Sequence, residues 1–527
     1  MKPKLFILSC FIEPILFIKI IVLKEVHSFS IIGSCSRNNK KVNSIPSGHE
    51  VNHIINHEDN IFPSLKHILT DVGVTSIISP LTPLANDNGF RTDYTNNTHF
   101  YIGTKRGRLY EITLGKDQRH ESHDISSFYF EKGYCDSMPR KNNHYSSSLP
   151  LKPYPIYSMD CNKSVVNHNV SRQLLLSGGG DRYVTIWQAI EGRKTSNDTL
   201  VSFNDSVYYG DWKLLTRLGP HTGWVKDVIF DASNQFIYSI GCNCIEIWSK
   251  SICDNNDSQD HNWEHNRRLQ IDSCKETGST LSSDLLCLCL IDSSHFSHVE
   301  DSESSTFCHQ ASYLCAGGVD GRIHVWSIQN KVEFNHIQSI SDYRAHNGRV
   351  NKMIICKKLG LLISVGHDGC IQYHEIHNGK IAIKESFYVT LDENQKVICS
   401  NGDRLRRETA FSTSFQNEDD DLDCNNQVPL RLLSMCCLCE DDGCALFALG
   451  TSSGIAFVIK VLACNSYYRI DILNQTKLSS WENNHAIHDI SCVQTKLEQE
   501  SDQRDRITYT IALGHSNGVA LWDINNN

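Results

Sequence analysis

The chain has 527 residues, 40% of them hydrophobic, and a formal net charge of -10. That apolar share fits a soluble globular protein with a real core. The negative balance excludes a general attraction to nucleic acid. The 22 cysteines lack the short regular spacing of a secreted disulfide framework.

Residues 1–28 begin with Lys2 and Lys4 and continue as an apolar stretch from Leu5 to Leu23, broken by Glu13, Pro14 and Lys19. This reads as a signal-like leader rather than a stable membrane span, because charges near a helix centre are costly in lipid. Residues 29–61 read as a transit-like or disordered extension; Phe29–Gly48 contains no acidic residue and is rich in Ser, Asn, Arg and Lys. The order resembles the two-part leaders of algae with complex plastids, which implies a plastid destination. The alternative is a cytoplasmic protein whose leader does not function. The seven Asn-x-Ser/Thr matches, from Asn96 to Asn474, matter only in a secretory lumen.

His49-Glu50-Val51-Asn52-His53 matches the HExxH pattern, in which two His one helical turn apart bind zinc and Glu acts as base. Too little chain precedes it for the sheet and cleft such chemistry needs, so it reads as a His-rich linker. Cys436, Cys437, Cys439 and Cys444 have no partner pair at zinc spacing. No metal, cofactor or catalytic residue is expected. The cysteines inside apolar runs, such as Cys287 and Cys289, read as small buried hydrophobes in a reducing compartment.

From residue 62 onward one phrase recurs: a small residue and Gly, often Asp-Gly, then an alternating strand ending in Trp. It stands at 174–187, 313–326 and 361–376, more weakly at 236–248, and in degenerate form at 100–112, 446–459 and 510–524. Each copy describes a β-hairpin, two half-buried strands around a Gly-containing turn. A further alternating strand precedes several copies, at 74–80, 225–230, 350–355, 432–438 and 490–493. Four antiparallel strands repeated seven times describe an all-β, seven-bladed β-propeller over residues 62–527.

These phrases resemble the WD-repeat family. Gly219-Pro220-His221 and His346 match its Gly-His opening; Trp187, Trp248, Trp326 and Trp522 hold its Trp position, with Trp522-Asp523 its dipeptide. The family's bonded set is His, Ser/Thr, Asp and Trp within one blade, and no blade here has all four. His346, Ser364 and Asp368 lack the Trp, which is His374. The first and sixth blades fit least well. Long polar stretches at 115–150, 192–210, 251–282, 293–310, 392–428 and 496–506 read as surface loops. Val519–Ile524 is the third strand of its blade, so Ser64–Leu69 is expected to pair beside it and close the ring.

Residues just before the inner strands should ring the channel, where family members commonly bind partners. Trp224, Arg349 and His488 are the matching positions, and Trp and Arg are common interface anchors. Packing on its own blade is the structural alternative for Trp224. Asp181, Asp320 and Asp368 read as turn residues that hydrogen-bond locally. Gly178-Gly179-Gly180 reads as a hairpin turn, and Arg404–Arg407 as a solvated loop. The resemblance implies a protein–protein scaffold with other proteins as partners; an RNA-processing or ribosome-assembly subunit and an enzymatic propeller remain alternatives.

Overall fold

The computed structural model describes residues 66–70, 73–79, 98–114, 127–128, 154–162, 173–189, 208–209, 212–251, 263–271, 284–292, 312–328, 337–377, 380–401, 429–441, 443–464, 467–478, 486–499 and 505–526. They belong to one compact unit, Ile61–Asn527. The leader, the HExxH match and Arg404–Arg407 lie outside the described residues. Every regular element described is a β-strand, and the strands form seven antiparallel sheets arranged as a seven-bladed propeller.

Strand β1 (Lys66–Thr70) comes first in the chain. Blade 1 runs outward from the channel as β2 (Val74–Ile78), β3 (Thr98–Thr104), β4 (Leu109–Leu114) and the short β5 (Ser127–Phe128). Blade 2 is β6 (Ile156–Cys161), β7 (Leu174–Gly179) and β8 (Val184–Ala189), with β9 (Tyr208–Tyr209) outside β10 (Trp212–Leu218). Blade 3 is β11 (Val225–Phe230), β12 (Phe236–Gly241), β13 (Cys244–Lys250) and β14 (Trp263–Gln270). Blade 4 is β15 (Leu285–Ile291), β16 (Ser312–Gly318), β17 (Arg322–Ile328) and β18 (Ile337–Arg344). Blade 5 is β19 (Val350–Cys356), β20 (Leu361–Gly366), β21 (Cys370–His377), β22 (Lys380–Leu391) and β23 (Val397–Asn401). Blade 6 is β24 (Leu432–Asp441), β25 (Cys444–Thr451), β26 (Ile455–Cys464) and β27 (Tyr467–Lys477). Blade 7 is β28 (Ile487–Gln499), β29 (Asp505–His515) and β30 (Gly518–Asn526), and its outer strand is β1.

Ring closure follows the expected pairing. Lys66 faces Leu521 and Leu69 faces Val519, antiparallel, across one register shift. The covered edge of β30 is thereby removed as a template for self-association.

Five of the six stretches read as loops contain strand. Trp263–Gln270, inside 251–282, pairs with β13 as the whole fourth strand of blade 3, and Ser127–Phe128, inside 115–150, pairs with β4. Val397–Asn401 pairs with β22 as a fifth strand of blade 5. Tyr208–Tyr209 does the same beside β10. The expected loop at 496–506 shrinks because β28 runs on to Gln499 and β29 starts at Asp505, with Leu497 facing Ile507 beyond a bulge at Gln494/Lys496. Polar composition hid these pieces because edge strands expose one face to water.

The core is distributed over the seams between blades. Seven clusters of buried apolar side chains occupy the seven seams, such as Tyr101, Ile156 and Trp187 between blades 1 and 2. Others are Tyr238, Leu285 and Trp326 between blades 3 and 4, and Tyr373, Phe447 and Phe457 between blades 5 and 6. Each fully buried side chain of this size contributes about 1.5–3 kcal/mol.

The recurring Gly has a role at these seams beyond the turn. The first residue of an inner strand packs against the second strand of the preceding blade. Where that first residue is β-branched, a Gly faces it. A Cβ on Gly103 would lie 2.7 Å from Ile156, on Gly178 2.5 Å from Val225, and on Gly317 2.7 Å from Val350. Gly450 meets Ile487 and Gly514 meets Val74 in the same way, at 2.6 and 2.7 Å. At the two remaining seams the same position is Ile240 or Val365, and the next inner strand begins with Leu285 or Leu432. A Leu carries its branch one carbon further out and leaves room for the bulkier neighbour. Gly178→Ala is therefore expected to cost about 1–3 kcal/mol by overpacking. Adding Val225→Leu should return part of it. A double-mutant cycle in urea would show a coupling near zero if the contact does not set the pairing.

Candidate functional site

One end of the ring is defined by a repeated hydrogen bond. In five blades the turn after the second strand donates an N–H to the residue just before the same blade's inner strand. Lys105 donates to Gly73, Gly180 to Pro155 and Val319 to Asp284, each at 2.8 Å. His367 donates to Arg349 at 2.9 Å and Ser452 to Arg431 at 3.0 Å. These turns and pre-strand residues therefore share the end where the inner strands begin. Trp224 and Arg349, both expected there, are exposed at it, with Arg431, Lys105, Arg106 and Arg182.

Trp224 is 54% exposed, an unusual position for a large aromatic. Its ring stacks on Tyr157 of the neighbouring blade, with centroids 5.7 Å apart and planes at 27°. The Lys226 ammonium lies 3.8 Å from the Tyr157 ring centre and 4.8 Å from that of Trp224. Trp224 is thus fixed by contacts to both its own and the adjoining blade. Burial pulls the Lys226 ammonium below its ordinary value; Asp284 opposes that shift and Arg349 adds to it.

His488 sits differently from the other two. Strand β28 begins at Ile487, earlier than the alternation from Ile490 suggested, so His488 is its second residue and aligns with Lys226. Its Nε2 is 3.0 Å from Ser516 Oγ. Burial, with Lys105 adding, pushes its pKa down to about 4, so the ring is neutral near pH 7. Polar residues at the second and third places, His488 and Asp489, concealed the start of this strand.

The repeat residues form directed networks. In blade 3, Trp248 Nε1–H donates to Ser239 Oγ at 3.0 Å, and Ser239 Oγ is 2.8 Å from His221 Nε2. His221 Nδ1 faces the Arg182 carbonyl of blade 2 at 3.3 Å, where another blade has Asp. In blade 5, His346 Nδ1 meets Asp368 Oδ1 at 3.0 Å and its Nε2 meets Ser364 Oγ at 2.8 Å. His374 completes this set: its Nε2 is 2.8 Å from Ser364 Oγ and its Nδ1 3.0 Å from Tyr343 Oη. Neutral His374 lets every group be satisfied in one direction: Tyr343 O–H to His374, His374 N–H to Ser364, Ser364 O–H to His346, His346 N–H to Asp368. His374 holds the register place of Trp187 and Trp248 and supplies the same N–H to a serine. Blade 2 keeps Trp187 Nε1–H on Ser177 at 3.0 Å.

The other repeat positions are simpler. Asp181, Asp320 and Asp368 each accept the N–H two residues on, from Tyr183, Arg322 and Cys370. Trp326 stacks on His324 at 6.0 Å. Trp522 is fully buried, and its Nε1 has no partner among the described residues, because Leu513 stands where other blades place Ser.

No family model and no curated protein matches the chain.

Ser364, His346 and Asp368 share the connectivity of a hydrolase triad. Ser364 is 0% and His346 1% exposed, so no substrate reaches Oγ without opening the blade. Among the described residues no three His, Cys, Asp or Glu side chains converge to hold a metal ion. Cys436, Cys437 and Cys439 are free thiols, and burial pushes each of them up.

A second set of polar residues, not anticipated from the sequence, lines the channel and crosses every seam. Asp227 Oδ2 accepts the Leu288 N–H of blade 4 at 2.7 Å, and its Oδ1 accepts Ser158 Oγ–H of blade 2 at 2.6 Å. Asp489, at the equivalent place, accepts the Ile77 N–H of blade 1 at 2.9 Å and Ser76 Oγ–H at 3.2 Å. Asp160 accepts the Phe230 N–H at 2.6 Å. Thr75, Cys287, Asn351 and Ser434 each donate to a carbonyl of the following blade: Ile156, Val350, Leu432 and Ile487. Lys352 takes the same strand place in blade 5. Burial alone would lower its ammonium, but the facing carboxylates of Asp489 and Asp227 hold it above its ordinary value.

Proposed function

We propose that this chain is a WD-repeat-type propeller that acts as a non-enzymatic scaffold for other proteins, as a subunit of a larger assembly. The His–Ser–Trp set of blade 3 and the His–Ser–Asp set of blade 5 support the WD-type reading, with His374 as a substituted Trp. The burial of Ser364 supports a packing role for the triad-like set of blade 5. The observation that carries the scaffold reading is Trp224: a large aromatic, half exposed, immobilised by Tyr157 and Lys226 at the end where the inner strands begin. A rigid exposed aromatic loses little entropy on binding and suits an interface anchor.

Affinity purification of the tagged full chain tests this. A partner should co-purify in stable ratio, and Trp224→Ala should reduce its recovery about tenfold, corresponding to an anchor worth roughly 1.4 kcal/mol or more. The folded chain should lose less than about 1 kcal/mol in urea, since Trp224 lies at the surface. Recovery of no stable partner would overturn the scaffold reading.

A further inference from the structure

We propose that the Trp224 end of the ring binds an extended acidic protein segment, with Arg349 and Arg431 pairing its carboxylates and the open side of Trp224 taking a neighbouring apolar residue. The proposal deepens the scaffold reading and rests on it.

A stacked Trp–Tyr pair would by itself attract a cation, because aromatic faces carry negative potential. Here that place is already taken. The Lys226 ammonium sits over both rings, 3.8 and 4.8 Å from their centres. The pair's cation site is therefore filled, and no vacant face remains between its rings for a lysine or arginine ligand.

Arg349 and Arg431 add to this charge from consecutive blades. Both are exposed, both stand immediately before an inner strand, and both bear on His367 between them, reinforcing the effect of its burial in disfavouring a proton there. Arg349 also acts on Lys226. Neither guanidinium forms an ion pair among the described residues. The carboxylates of the same turns are engaged elsewhere: Asp181 with Arg217, Asp320 with the Arg322 N–H, Asp368 with His346 and the Asn347 N–H.

A local excess of cations on a chain of net charge -10 gives direction. An acidic partner is repelled by most of the surface and attracted at this end, which steers encounter. Guanidinium groups match carboxylates in paired hydrogen bonds. RNA fits less well. Single strands need open aromatic faces in a continuous basic groove, whereas Trp224 has one face against Tyr157 and its cation site is filled by Lys226.

The test is fluorescence anisotropy with the full chain and three labelled probes: a peptide of about ten residues alternating Glu and Leu, an oligolysine and an oligouridine of similar length. The acidic peptide should bind, oligolysine should not, and the acidic complex should weaken about fivefold or more when salt rises from about 50 to about 300 mM. Arg349→Glu with Arg431→Glu should weaken it about tenfold or more, whereas Arg469→Glu, on the outer strand of blade 6, should leave it unchanged. Tighter binding of oligouridine, or acidic-peptide binding untouched by the double reversal, overturns the proposal. In the purification experiment, a partner retained equally by the double variant overturns the acidic reading while the scaffold stands; no partner for the native chain overturns the scaffold itself.

Discussion

Asp227→Ala is expected to destabilise the propeller by about 3–5 kcal/mol. The substitution leaves the buried Leu288 N–H of blade 4 and the Ser158 hydroxyl of blade 2 without acceptors, and each such loss costs about 1–3 kcal/mol. It also removes one of the carboxylates facing Lys352. A domain this large unfolds with a large entropy, so the same loss lowers Tm by only about 3–5 °C. The urea midpoint is the more sensitive measurement, and hydrogen exchange over Leu285–Ile291 should quicken locally. Asp227→Asn should fall between the two, because its amide keeps one acceptor oxygen but turns a donor toward one of the present donors. A loss below about 1 kcal/mol for the Ala variant would mean that the channel bonds do not hold the seams.

The second large effect is on the acid limb of stability. Burial, with nearby His346 adding, pushes the His374 pKa down to about 3. In the unfolded chain the ring takes a proton near its ordinary pKa of about 6.5. The unfolded state therefore binds more protons between these values, and the stability present above pH 6.5 is lost as pH falls toward 3. The slope reaches about 1.4 kcal/mol per pH unit, so the loss between pH 6.5 and 4.5 is on the order of 2–3 kcal/mol. His488, pushed down to about 4, acts in the same direction over the same window. His374→Gln should be less stable than the native chain at pH 7.5, since Tyr343 and Ser364 lose a well-placed partner. Its urea midpoint should also fall less steeply from pH 7.5 to 4.5. Equal steepness in both chains would place the acid sensitivity elsewhere.

The hairpins at all seven positions were legible because each pairs an alternating apolar run with a turn residue. Leu174–Gly179 with Val184–Ala189 and Ser312–Gly318 with Arg322–Ile328 are examples. The closing strand was legible because blade 7 lacked a fourth strand and Ser64–Leu69 stood in the right order. Blade 6, expected to fit poorly, has long regular strands of ten and eleven residues in β26 and β27, because its hairpin keeps the alternation while losing the Asp-Gly and Trp marks. The early start of β28 was hidden by His488 and Asp489, which face the channel and its mouth. Their polarity reads as loop in the chain; in the ring His488 bonds Ser516 in the turn of its own blade, and Asp489 accepts from Ser76 and Ile77 of blade 1. The cation-filled Trp224–Tyr157 pair was only half legible. Trp224 stood out by type and place, whereas Tyr157 and Lys226 join it from separate strands, a meeting that no local pattern encodes.

The two seam chemistries have a consequence for how such rings can be rebuilt. A blade that presents Gly accepts a successor starting with Val or Ile; a blade that presents Ile240 or Val365 accepts one starting with Leu. Each blade carries half of one match on its inner strand and half of another on its second strand. Transplanting one blade therefore breaks two matches at once. The transferable module is the seam, meaning the second strand of one blade together with the first strand of the next. Chimeras cut through the middle of blades should preserve those matches, while chimeras cut between blades should not.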